Sequence, residues 1–270
     1  MTPEQPIFAW NIKFAGNLNG RPLLWFHGFM GSSDDWLPLV ADLFPEYCNI
    51  LVDLPGHGNS RILQHFPYTQ YLDSLKAKLS IEGFETFIAI GYSMGGRFAL
   101  HFQQRFPANI PALIGLSTAP GLKSDVERQH KRHSDTVLMD SLEQQGFPDF
   151  LIKWYAQSIF GTIQRKEDLL TRLLESRSRN EPSQLRSSLK LLGNGALPSL
   201  WSSLQSISVP VLLLNGADDS KYYGINQEMT DLLPMGRQQT IAGGHAFHLE
   251  KPLETALAIR HFLSELIEGV

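Results

Sequence analysis

The sequence has very little cysteine and no long apolar run, and each scarcity excludes something. A single cysteine, Cys48, among 270 residues rules out an internal disulfide. It precedes a strand-like apolar stretch, where a buried thiol is expected. A disulfide-free chain suits a cytoplasmic setting. No apolar run approaches the roughly 20 residues that span a bilayer, so no membrane insertion is expected. The first residues, MTPEQPIFAWNIKF, lack the basic flank and apolar centre of a signal peptide. Net charge is small, formally −4, which favours neither nucleic acid nor an anionic membrane surface as a partner. Metal-ligand spacings are missing, because the nine histidines are scattered without a paired carboxylate pattern. A Gly-x-x-x-x-Gly-Lys-[Ser/Thr] phosphate loop is missing too. What is present, 43% hydrophobic and 19% charged residues, suits one globular domain with room for an insertion. The sequence leaves the oligomeric state open.

Short, continuously apolar runs recur at Leu23–Phe26, Ile50–Asp53, Phe87–Ile90, Leu113–Leu116 and Val211–Leu214. Continuous rather than alternating apolarity predicts strands covered on both faces. Helical patterns at Tyr68–Leu79, Met94–Phe106 and Pro252–Ile267 alternate with them, which predicts an α/β chain with a mostly parallel central sheet and helices on both faces. Pro6–Phe14 and the turn-rich Asn17–Gly20 suggest an antiparallel N-terminal hairpin. Residues 121–200 contain no buried-strand run. Their helical stretches are broken near Gly146, Gly161, Pro182 and Gly193–Gly195. The expected organisation is therefore a core of residues 1–120 and 201–270 with a helical lid, residues 121–200, over the carboxyl ends of the strands. The lid holds 12 Lys and Arg against 10 Asp and Glu, and the remainder 11 against 17. A locally basic lid over an acidic body favours an anionic small-molecule substrate.

The chemistry concentrates in motifs at the ends of the strand runs. Gly91-Tyr92-Ser93-Met94-Gly95 is a Gly-x-Ser-x-Gly sequence between a strand and a helix, the context that makes it a nucleophile elbow. Its glycines allow a turn so tight that side chains there would strike neighbouring backbone, and the turn lifts Ser93 clear of the sheet. After Val211–Leu214 comes Gly216-Ala217-Asp218-Asp219, where an acid that orients a base belongs; Asp219 is favoured over Asp218 by its spacing from Gly216. Gly243-Gly244-His245 then supplies the base, with His248 read as structural. A serine unaided is a poor nucleophile or base, so His245 must take its proton while Asp219 holds the imidazole tautomer. His27 reads as a brace for its loop. Asp53 and His57, in Asp53-Leu54-Pro55-Gly56-His57-Gly58, read as parts of a structural turn, because they precede the serine.

The elbow and the order Ser93, Asp219, His245 resemble the α/β-hydrolase fold. That resemblance implies an oxyanion hole from the backbone amides of Phe29, in His27-Gly28-Phe29, and Met94. Further pieces narrow the family. They are Tyr92-Ser93-Met94-Gly95-Gly96-Arg97, Pro120-Gly121-Leu122-Lys123, Trp154-Tyr155, Phe160, Ser176-Arg177-Ser178 and Asp219-Ser220-Lys221. Together they resemble the 2-succinyl-6-hydroxy-2,4-cyclohexadiene-1-carboxylate synthases of menaquinone and phylloquinone biosynthesis, from about Trp25 to Pro252.

The resemblance implies a carbon–oxygen lyase that needs no cofactor. The triad serine acts as base, pyruvate leaves, and cationic side chains hold the substrate's carboxylates. It assigns Arg97 and Arg177 to those carboxylates, and Tyr92 and Trp154 to the pocket wall. The family's lid arginine falls at Lys131 by straight counting, with Arg132 one step on and Arg128 a turn earlier. A serine carboxylesterase or carbon–carbon bond hydrolase is the alternative enzyme. A non-enzymatic ligand receptor is the alternative of another class, and the intact Ser, Asp and His set argues against it.

Overall fold

The computed structural model describes residues 8–268. The chain runs through β1 (Ile12–Gly16), β2 (Pro22–Phe26), α1 (Leu37–Leu43), β3 (Cys48–Val52), α2 (Tyr68–Ile81), β4 (Ile88–Tyr92), α3 (Met94–Arg105) and β5 (Leu113–Leu116). Five helices follow with no strand among them: α4 (Asp125–Gln145), α5 (Phe147–Tyr155), α6 (Gly161–Gln164), α7 (Glu167–Arg177) and α8 (Pro182–Leu192). The chain then returns through β6 (Val211–Gly216), α9 (Ser220–Leu232), β7 (Gly236–Ile241), α10 (Phe247–Glu250) and α11 (Pro252–Glu268).

The strands form one sheet in the order β1-β3-β2-β4-β5-β6-β7, parallel except for β1. The expected mostly parallel α/β architecture is therefore what forms. The expected N-terminal hairpin does not. β1 pairs with β3, Ile12 opposite Val52, and β3 separates it from β2. The first two residues of the predicted hairpin lie outside the described residues. The physical reason is burial. β3 is buried at every position and needs neighbours on both sides, whereas β1 is half exposed and suits the edge. Phe8 and Trp10, read as strand, instead pack by edge contacts in the core, Phe8 against Tyr71 and Trp10.

Successive residues of each inner strand feed opposite cores. Leu24, Phe26, Ile50, Val52 and Ala89 join residues of α2, α3 and α9 on one face. Leu23, Trp25, Leu51, Ile88 and Ile90 join α1 and α11 on the other. Each large side chain buried this way contributes roughly 1.5–3 kcal/mol. Cys48 is fully buried in the first of these cores, as its apolar setting predicts.

The helices between β5 and β6 bury apolar clusters of their own and share them with strand-end loops. Met139, Phe150, Leu151 and Leu185 close over Met30, and Tyr155, Phe160, Ile163 and Leu173 over Ala246. The first of these helices starts at a full capping box, Ser124 with Glu127. Among the described residues no helix is long and apolar enough to cross a membrane.

Candidate active site

Ser93 is the single residue between β4 and α3, and its backbone is strained. Its φ of 52° and ψ of −110° lie where non-glycine residues rarely go, a conformation that costs on the order of 1–3 kcal/mol. Its surroundings enforce it. The Ser93 amide donates to Leu116 O at 2.8 Å, and Thr118 Oγ1 donates to Ser93 O at 2.8 Å. A Cβ on Gly91 would stand 2.5 Å from the Gly95 carbonyl, and one on Gly95 would overlap the Phe26 carbonyl. Both glycines are required by the crowding expected of the elbow.

His245 and Asp219 reach the serine from two later loops. Asp219 caps α9, its Oδ1 accepting from Tyr222 N at 3.2 Å. Its other oxygen lies 2.7 Å from His245 Nδ1, and His245 Nε2 lies 3.2 Å from Ser93 Oγ. Both residues are only 5% exposed. A carboxylate on Nδ1 keeps the proton there and leaves Nε2 free to accept from the hydroxyl. Asp218, one residue earlier, is exposed and stands outside this chain of bonds.

Two amides flank the serine. Met94 opens α3, so its N–H has no carbonyl one turn behind it, and the helix dipole adds partial positive charge there. Phe29 follows β2 on a loop pressed to the Tyr92 ring; a Cβ on Gly28 would lie 2.6 Å from that ring. His27 braces this loop, its Nε2 accepting from Leu54 N at 2.9 Å and its Nδ1 lying 2.7 Å from Gly28 O. His57 Nε2 accepts from Met30 N at 3.0 Å. Asp53 accepts from the amides of Ser33 and Asn59 at 2.6 and 2.9 Å. Burial pushes both imidazoles below the usual histidine range, so both stay neutral acceptors. All three side chains brace loops through backbone amides. His248 is 2% exposed, its ring tilted against Tyr92 with centroids 4.2 Å apart, and burial holds it near a pKa of about 3.

A cavity of about 220 Å³ opens over Ser93, beneath the helical insertion. Phe29, Tyr92, Met94, Arg97, Lys131, Trp154 and Arg177 line it with the serine and histidine. Arg97 sits one turn into α3, its amide on Ser93 O, and is 5% exposed. Its Nη2 donates to Leu192 O at 3.3 Å, while its Nε has no partner. Burial pulls its pKa down, so an anion beside it would relieve a real cost. Arg177 is differently placed. Burial opposes its charge, but a bidentate pair with Asp35, at 2.6 and 2.8 Å, outweighs that and raises its pKa. Lys131 pairs with Asp135 on the same helix, and both line the cavity. Trp154 packs edge-on to Phe29 with ring centroids 5.5 Å apart.

Two of the expected cations stand outside this cavity. Arg128 pairs with Asp125 near the start of α4. Arg132 donates to Gly195 O at 2.6 Å and lines a smaller neighbouring cavity. Asn194, Lys221 and Tyr222 are among the lining residues that escaped the sequence reading of the pocket. For the last two a signal existed. A residue that caps a helix by accepting from the amide three positions on must bring the first turn, with Lys221 and Tyr222, to the same mouth. Asn194 carried none.

Residues 21–252 match the alpha/beta hydrolase fold family. The chain is 34% identical over 245 residues to a Bacillus subtilis (strain 168) protein provisionally named as a 2-succinyl-6-hydroxy-2,4-cyclohexadiene-1-carboxylate synthase, covering 89% of each. It is 31% identical to the protein of that name from Pectobacterium atrosepticum, covering 91% of this chain and 95% of the relative. A solved structure of MenH from S. aureus superposes with a TM-score of 0.87 at 28% identity, over 95% of this chain and 98% of that one.

Proposed function

The chain belongs to the alpha/beta hydrolase fold family and, within it, to the 2-succinyl-6-hydroxy-2,4-cyclohexadiene-1-carboxylate synthases, and from that membership we propose its reaction, its residues and their roles. The enzyme is a lyase. It eliminates pyruvate from 2-succinyl-5-enolpyruvyl-6-hydroxy-3-cyclohexene-1-carboxylate in menaquinone or phylloquinone biosynthesis, a cytoplasmic task. The observation that carries this reading is the buried, half-partnered Arg97 in the same cavity as a hydrogen-bonded Ser93, His245 and Asp219.

Ser93 passes its proton to His245 Nε2, and the serine oxygen removes the ring proton beside the succinyl carbonyl. Asp219 holds the imidazole and stabilises the imidazolium that forms. Charge moves onto the succinyl oxygen, which the amides of Phe29 and Met94 stabilise. As the carbonyl re-forms, the electrons return through the ring double bond and break the bond to the enolpyruvyl oxygen. The ring becomes a conjugated diene and the departing enolpyruvate takes up a proton to become pyruvate. The carbonyl is the electron sink, so this sequence needs no cofactor.

The substrate's three carboxylates need cations. Arg97, with an unbonded Nε, is the primary clamp, and its planar fork suits a carboxylate. Lys131 stands where the family's lid arginine falls and can reach an anion without leaving Asp135's neighbourhood. Arg177 keeps Asp35 as a permanent partner and adds its remaining donors to the wall. Arg128 and Arg132 are held by their own partners and serve the lid. Residues 121–200 act as that lid, and Tyr92 and Trp154 shape the apolar side of the pocket.

The test is Arg97→Ala. It should lower kcat/KM for pyruvate release by ~10²-fold or more, the scale expected when a charged hydrogen bond is removed from a buried site, while Ser93 keeps its reactivity toward a neutral organophosphate. Wild-type kinetics in that variant would remove the carboxylate clamp, and an absence of pyruvate release in the wild type would remove the lyase assignment.

A further inference from the structure

We propose that Lys221 is a substrate-binding residue whose ammonium holds the carboxylate of the enolpyruvyl group, the part of the substrate that leaves as pyruvate. This deepens the lyase reading and rests on it. Among the described residues, the lysines and arginines that line the cavity over Ser93 are Arg97, Lys131, Arg177 and Lys221. Two of them already have a carboxylate partner, Lys131 in Asp135 and Arg177 in Asp35. Arg97 donates to the Leu192 carbonyl. Lys221 has no carboxylate partner among the described residues, and its Nζ stands 5.5 Å from the centroid of the Tyr222 ring. The substrate's carboxylates therefore meet two cations whose charge is not already answered by an acid, Arg97 and Lys221.

The position of Lys221 is costly without an anion. It is the second residue of α9, where the positive end of the helix dipole disfavours a cation, and the first turn holds no acid. The capping carboxylate, Asp219, is committed to His245 Nδ1 and to Tyr222 N. The Tyr222 face keeps the ammonium near the reaction, because that ring lies 4.6 Å from the His245 ring, centroid to centroid. A carboxylate bound here would meet the ammonium and the positive end of the helix together.

Exposure decides which carboxylate this is. Arg97 is 5% exposed and suits a group that stays in place through the reaction, whereas Lys221 is exposed and stands where the cavity meets solvent. The fragment that departs is the enolpyruvyl one. When its bond to the ring breaks, the electron pair goes to the enolpyruvyl oxygen, so the fragment carries a second negative charge until its terminal carbon takes up a proton. Lys221 therefore attracts the transition state more strongly than the bound substrate, and the difference speeds the elimination.

The test compares Lys221→Met and Lys221→Arg with the wild type. Pyruvate and, separately, succinate are used to protect Ser93 from labelling by an aryl fluorophosphonate, and pyruvate release from the enolpyruvyl substrate is measured alongside. Lys221→Met should raise the pyruvate concentration for half-protection by ~10-fold, the scale of one charge-assisted hydrogen bond, and leave that for succinate within about twofold. It should lower kcat as well as kcat/KM for pyruvate release, and Lys221→Arg should keep most of both. Because the lysine opposes the helix dipole, Lys221→Met should unfold at the same temperature or a higher one, so that lost activity is not lost fold. Unchanged pyruvate protection in Lys221→Met would overturn the inference. So would equal losses for pyruvate and succinate, which would make Lys221 a source of general positive potential, or a failure of pyruvate to protect the wild type. A wild type that releases no pyruvate, yet is protected by pyruvate through Lys221, would sink the lyase and leave the carboxylate site standing.

Discussion

At the scale of single residues, two aspartates stand side by side and one is hydrogen-bonded to His245. Asp219 Oδ2 meets His245 Nδ1 at 2.7 Å while Asp218 is exposed. Asp219→Asn should therefore lower kcat by ~10³–10⁴-fold, because an amide in that place favours the wrong imidazole tautomer, while Asp218→Asn stays within about twofold. The reverse order in a steady-state assay would mean that the geometry misidentifies the acid. Ser93→Ala should leave no measurable pyruvate release. These residues were legible in the sequence because their signals are local: a serine between glycines, an acid after a strand, a histidine after glycines. Arg177 was legible as a lid cation, but its partner was not. Asp35 lies 142 residues away and no local pattern joins them.

At the scale of elements, that same pair fastens the helices between β5 and β6 to the loop after β2. Arg177 ends α7 and Asp35 lies in the loop after β2, with side chains 7% and 13% exposed. Removing one partner of a buried pair leaves the other charge unpaired. Asp35→Asn should cost about 3–5 kcal/mol in urea unfolding, and should speed proteolysis within residues 121–200. Asp35→Asn combined with Arg177→Met should recover much of the stability; no recovery would show that packing, not charge, dominates the latch. The strand runs were legible because strands covered on both faces are apolar at every position. The edges were not. β7, Gly236–Ile241, is half exposed and polar through Arg237-Gln238-Gln239-Thr240, so no apolar run marks it. β1 chose β3 over β2 through long-range pairing that a local hairpin pattern cannot foresee. In α4 the sequence could not rank Arg128, Lys131 and Arg132, because helical phase alone keeps Arg128 and Lys131 on similar faces. Asp125, three positions before Arg128, was a local signal for that arginine's pairing. Gly195, which takes Arg132 away from the cavity, lies 63 residues on and gave none.

At the scale of the whole molecule, burial of neutral histidines sets an acid limit on the fold. Burial first, and then Arg97, holds His101 near a pKa of about 4, and burial holds His248 near about 3, against an ordinary 6.5. Below pH 6.5 the unfolded chain takes up protons at these sites that the folded chain refuses, until the folded values are reached. Stability therefore falls as pH drops from about 6.5 toward 4, by about 1.4 kcal/mol per pH unit for each such histidine. Urea unfolding at pH 7 and pH 5 should show this loss, and His101→Leu should reduce the slope by about one histidine's share. An equal slope in that variant would mean that His101 charges without cost in the folded state.

The same interior surrounds the cavity lined by Arg97, Lys131 and Arg177, where the proposed reaction places the substrate's carboxylates. The most direct measurement is pyruvate release from 2-succinyl-5-enolpyruvyl-6-hydroxy-3-cyclohexene-1-carboxylate, followed beside cleavage of a simple aryl ester. Rapid pyruvate release with negligible ester cleavage is the expected result. Ester cleavage without pyruvate would leave the fold and the hydrogen-bonded Ser93, His245 and Asp219 in place but contradict the lyase, making the enzyme a serine hydrolase and Arg97 a structural cation.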